Sequence, residues 1–168
     1  MASLNALSVA LFNAAAGGYA TEMAANPAAF ASAVGPILEK DLSTDALFIV
    51  HLLDNLGVAT TNAAYAEART ALTGMVAAKG RLAATTDAID FLKAQEGGTS
   101  AFALIAANFA IKVNTATIYT AANAKERDVT KLISAITGVD TDVAATAAAV
   151  AAQKAADDAA TATALKAA

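Results

Sequence analysis

The 168-residue chain has no cysteine, no tryptophan, two prolines and one histidine. Without cysteine there is no disulfide framework, no thiolate-bound zinc or iron–sulfur centre and no thiol nucleophile. A single histidine, His51, excludes a multi-histidine metal site and makes a His-dependent catalytic triad a thin prospect. Aromatic residues are 5% of the chain and charged residues 15%. No run of 18 or more apolar residues occurs, so no segment reads as a membrane-spanning helix. The net charge is −4, opposite to the basic signature of nucleic-acid binders. No Lys or Arg precedes Lys40, so the apolar stretch Met1–Ala16 lacks the positive start of a secretory signal.

What the chain has in excess is alanine, 51 residues in all, about 30%, several times ordinary usage. Alanine is the best helix former and a poor strand residue. With 57% hydrophobic residues, disorder from low hydrophobicity is excluded. The composition predicts an all-α fold. Residues 1–138 are expected to form a compact bundle of about seven to eight short helices. Residues 139–168 are expected to form one long Ala-rich helix, a tail or assembly element.

Within the bundle, Ser3 caps a helix carrying Leu4, Leu7, Leu11 and Phe12 on one face, and Gly17-Gly18 ends it. A short piece follows around Tyr19 to Met23. Asn26-Pro27 starts a helix with Phe30 and Val34, and Gly35-Pro36 breaks it. Ser43 or Thr44 opens the most apolar helix, Ala46 to Leu56. Its residues Leu47, Phe48, Ile49, Val50, Leu52, Leu53 and Leu56 leave almost no polar face, which predicts burial on most sides. Thr61 or Asn62 opens the next helix, with Tyr65, Leu72, Met75 and Val76 sharing a side and Gly80 closing it. Thr85-Thr86-Asp87 supplies a cap for a helix with Leu82, Ile89 and Leu92, Phe91 lying beside them. Glu96 to Ser100 is the clearest loop. Ser100 caps a helix from Ala101 to about Ala122, with Phe102, Ile105, Phe109, Val113 and Tyr119 on its core face. Asp128 caps a last helix with Val129, Leu132, Ile133 and Ile136, ended by Gly138. The phenylalanines are spread over these helices, as one shared core requires.

From Ala144 to Ala168, 15 of 25 residues are alanine, and the larger aliphatics are Val150 and Leu165. With Asp142 as N-cap the segment makes a helix of about 27 residues, roughly 40 Å long. It lacks the leucine stripe of a coiled coil. Val143, Val150 and Leu165 are its candidate assembly contacts, and its order depends on packing against a neighbour.

Few residues suggest chemistry. His51 stands three residues before Asp54, a spacing that orients an imidazole, yet no nucleophile or metal partner is spaced to complete a site. The simpler role is structural. Asp140-Thr141-Asp142 resembles a piece of a calcium loop but lacks its central Gly and terminal Glu, so helix capping is favoured over a weak calcium site. Gly97-Gly98-Thr99-Ser100 lacks the Lys and the preceding strand of a phosphate loop. No cofactor is expected, with calcium at Asp140 and Asp142 as the one candidate.

Charge is unevenly placed: −4 over residues 1–60, +2 over 61–131 and −2 over 132–168. In the middle segment Arg69, Lys79, Arg81 and Lys93 fall near predicted helix ends, with Tyr65 nearby. Such a cluster suits an anionic glycan or phosphorylated headgroup, with the aromatic ring stacking on a sugar.

Three pieces occur in an order that resembles a known family. They are Ala88-Ile89-Asp90-Phe91-Leu92 before a Gly-rich loop, then Phe109 with Lys112-Val113 and Tyr119, then Ile136-Thr137-Gly138-Val139-Asp140 before an Ala-rich helix. The family is the helical N-terminal, anchoring region of S-layer and RTX-type surface proteins of Gram-negative bacteria, and the likeness covers roughly residues 1–150. The resemblance implies export by type I secretion without an N-terminal signal, and an extracellular, cell-surface location. It also implies a domain holding a self-assembling layer to lipopolysaccharide. The glycine-aspartate calcium repeats that accompany such domains do not occur in these 168 residues. The expectation is thus a non-enzymatic structural module that binds itself and an anionic surface glycan. A phasin-like intracellular coat protein of storage granules is the alternative, which the Gly-punctuated short helices fit less well.

Overall fold

The computed structural model describes residues 3–25 and 42–137. These residues are helical, with turns and no strand. In chain order the helices are α1 (Leu4–Phe12), a 3-10 turn (Gly17–Tyr19), α2 (Ala20–Ala25), α3 (Asp45–Asn55), α4 (Tyr65–Lys79), α5 (Arg81–Gln95), α6 (Ala103–Ala122) and α7 (Val129–Ser134). The predicted helix with Phe30 and Val34, the 138/139 boundary and the Ala-rich segment all lie outside the described residues.

The short helix α1 is the centre of the packing. It touches α3, α5 and α6, while α4 packs on α3 and α5. Small side chains make this possible, because helices approach closely only where the contact residues are small. Ala6, Ser8, Val9, Ala10 and Leu11 are buried, and Val9 and Ala10 are fully so. The sequence pattern points instead to Leu4, Leu7, Leu11 and Phe12 as the inner face. Of those only Leu11 is buried; the other three are half-buried around the rim. A helix enclosed on several sides buries its small residues, so counting large residues finds the wrong face.

Caps explain most boundaries. Ser3 Oγ accepts from Ala6 N at 3.1 Å, and Thr44 Oγ1 accepts from Leu47 N at 3.2 Å. Asp128 accepts from Thr130 N at 3.0 Å. Each satisfies an amide that helix geometry leaves orphaned. Four expectations need correction. Helix α1 ends at Asn13, which adopts the left-handed conformation (φ 49°) and bonds Val9 O, four residues before Gly17. Thr85 and Thr86 lie inside α5, donating back to Arg81 O and Leu82 O. They cap nothing, because Gly80 (φ +82°) turns the chain directly from α4 into α5. Ser100 Oγ donates to Gln95 Oε1 at 2.7 Å instead of capping α6. Finally, α3 does have an outer face, since Leu47 is 53% and Val50 42% exposed.

The core runs through Leu11, Phe48, Leu52, Leu53, Phe109 and Ile136. On α7 only Leu132 is buried, with Ile136 just beyond it, whereas Val129 and Ile133 are exposed. Phe91 is also exposed, edge-on to the buried Phe102 with ring centroids 5.1 Å apart.

Between α1 and α2 the chain passes through the interior, irregular at first and then through the 3-10 turn. Ala14, Ala15, Ala16, Gly17 and Gly18 are all buried, so each of their amides needs a partner. Ala15 N donates to Leu132 O (3.0 Å), Ala16 N to Asn5 Oδ1 (3.3 Å), Gly17 N to Thr120 Oγ1 (3.0 Å) and Gly18 N to Glu126 O (2.7 Å). The Thr120 hydroxyl donates in turn to Asn5 Oδ1 at 2.9 Å. Glu126 braces the facing turn: its carboxylate accepts from Arg127 N, Asp128 N and Lys131 Nζ. The two backbone bonds and the lysine hold its carboxyl below the usual carboxylate range.

Gly17 sits at φ +53°, and a Cβ there would meet Leu132 Cδ2 at 2.4 Å and Glu126 O at 2.8 Å. Gly74, inside α4, has nothing within 4 Å of a Cβ. Gly17→Ala should therefore destabilise by about 2–4 kcal/mol, from left-handed strain and overpacking together. Gly74→Ala should stabilise by about 0.5–1 kcal/mol through helix propensity. Urea unfolding of the two variants checks both signs.

Candidate functional site

Helix α4 is the least enclosed of the long helices, burying only Leu72 and Val76. Alongside its packed face runs an open groove of about 330 Å³ lined by Tyr65, Ala66, Arg69, Thr70 and Thr73. The spacing explains the set. Tyr65, Arg69 and Thr73 follow one another at i, i+4 and i+8, and Ala66 and Thr70 run alongside. Tyr65 is half-buried and Arg69 is exposed. The Arg69 guanidinium has no salt-bridge or hydrogen-bond partner among the described residues. The Thr70 and Thr73 hydroxyls donate to Ala66 O (2.9 Å) and Arg69 O (2.8 Å), so their oxygens are left to accept.

These groups can do a limited set of things. The guanidinium offers a planar fork of donors for a carboxylate or phosphate. The phenol ring offers an apolar face with a polar tip. The hydroxyl oxygens accept from ligand hydroxyls. Among the described lining residues there is no carboxylate and no imidazole.

The structure brings together only part of the basic cluster expected from the sequence. Tyr65 and Arg69 share the groove. Lys79 lies ten residues further along α4, about 15 Å away, and is paired with Asp87. Arg81 is folded inward. Its Nε donates to Asp45 Oδ1 at 2.8 Å and its Nη1 to Leu42 O at 2.8 Å. The guanidinium also lies 5.3 Å from the Phe48 ring centroid, a cation–π contact. Arg81 thus ties the start of α5 to the start of α3. Lys93 is exposed on the last turn of α5 and does not line the groove.

His51 makes no bond to Asp54. Its Nε2 lies 3.1 Å from Leu11 O and 3.1 Å from Asn55 Nδ2, and Asn55 Nδ2 donates to Ala10 O at 2.9 Å. Ala10 and Leu11 present two of the last four carbonyls of α1, which have no partner within their own helix. Histidine and asparagine, one turn apart on α3, therefore cap the C-terminus of α1 from outside. Lys112 joins this network: it is 96% buried, and its Nζ donates to Asn55 O, in the last residue of α3, at 3.5 Å. A cation beside a helix C-terminus is electrostatically favoured. Sequence reasoning took Lys112 as an incidental member of a core helix and did not single out Asn55. The available signal was polarity inside an apolar run, since His51 and Asn55 are the inward polar residues of α3. Two amide oxygens, Asn13 Oδ1 and Asn108 Oδ1, are buried without a partner.

No group of three or more His, Asp or Glu side chains among the described residues is placed to hold a metal. The calcium candidates Asp140 and Asp142, and the assembly candidates Val143, Val150 and Leu165, lie outside the described residues. Among the described residues no helix is long and apolar enough to cross a membrane. Comparison with family models, curated proteins and solved structures finds no match.

Asn55→Leu removes the donor to Ala10 O and should cost about 1–3 kcal/mol, the penalty of a buried unpaired carbonyl. Thermal unfolding at fixed pH measures it; a change below about 0.5 kcal/mol would show that water replaces the amide.

Proposed function

We propose that the chain is a non-enzymatic structural module of the cell surface. It anchors an S-layer-like lattice or filament to outer-membrane lipopolysaccharide and contributes to its self-assembly. The observation that carries this reading is the α4 groove, where an unpartnered guanidinium stands one turn from a tyrosine ring. A phosphorylated or carboxylated sugar meets both groups at once, the anion at Arg69 and the ring at Tyr65. A single arginine binds weakly, but a lattice presents many copies to a membrane densely covered with glycan, and multivalency converts weak contacts into avidity. The sequence resemblance supports the same reading and implies export by type I secretion to the outer surface.

In this reading residues 1–138 form the bundle of seven to eight helices. Residues 139–168 form the long Ala-rich helix, ordered against a neighbour through Val143, Val150 and Leu165. Calcium at Asp140 and Asp142 would brace the junction between the two parts. The exposed aliphatics Leu47, Val50, Val129 and Ile133 favour one competing reading, a phasin-like coat whose apolar side chains lie on a polyester granule. Cell fractionation separates the two, since a granule-bound pool belongs only to the coat protein.

Arg69→Glu should lower binding to purified lipopolysaccharide at least tenfold, while Lys79→Glu should change it less than threefold. Arg81→Glu should instead reduce stability, because that side chain holds α3 to α5. Sedimentation with lipopolysaccharide, alongside urea unfolding, reads all three. Unaltered binding by Arg69→Glu removes the groove from the anchoring role.

A further inference from the structure

We draw no further inference here: the strongest candidate, the pair of exposed aliphatic side chains Leu104 and Ile118 on α6, carries nothing because nothing in the structure shows what covers it.

Discussion

The fold depends on a stretch of backbone that is buried without belonging to a long helix. Residues 14–18 cross the interior, and the amides of residues 15–18 find partners on Asn5, Thr120, Glu126 and Leu132. Each such group left unpaired would cost about 1–3 kcal/mol, several times the net contribution of a typical surface ion pair. The positions of α6, of the turn after it and of α7 relative to α1 follow from that requirement. Gly17 and Gly18 permit the close approach, and at Gly17 the same closeness leaves no room for a side chain. The far end of α1 obeys the same rule, with its last carbonyls met by His51 and Asn55 and the network extended by Lys112. A helix of nine residues is thus fastened at its C-terminus and beyond by polar groups from three other elements.

This arrangement gives the alanine content two meanings. In α1 and in the buried stretch after it, alanine lets other helices converge on one short helix. On α6 it alternates with leucine and isoleucine in a helix whose one charged residue, Lys112, is buried. The groove on α4 follows from the thin packing of that helix, which buries only Leu72 and Val76 and leaves Tyr65 half-buried and Arg69 exposed beside them.

Helix type and approximate position were legible because they rest on local signals. Thr44, Ser3 and Asp128 cap where their side chains suggest, and Gly80 turns the chain where it stands in the sequence. Burial was less legible. Val9 and Ala10 are more enclosed than Leu4 or Leu7, because enclosure depends on how many helices surround a position and not on side-chain size. Thr85 and Ser100 have cap chemistry but not cap positions, since Thr85 lies inside α5 and bonds back to Arg81 O while the Ser100 hydroxyl is taken by Gln95. The basic cluster shows the same limit. Arg69 and Arg81 look alike in sequence, yet the Asp45 carboxylate, the Leu42 carbonyl and the Phe48 ring, all remote in sequence, draw Arg81 inward, and nothing among the described residues draws Arg69.

Self-assembly is the central claim of the proposed function, and electron microscopy of the purified 168-residue chain, with and without calcium, tests it most directly. Ordered filaments or sheets in at least one condition are the predicted result. Discrete single molecules in both, at concentrations where the chain remains folded, would contradict it.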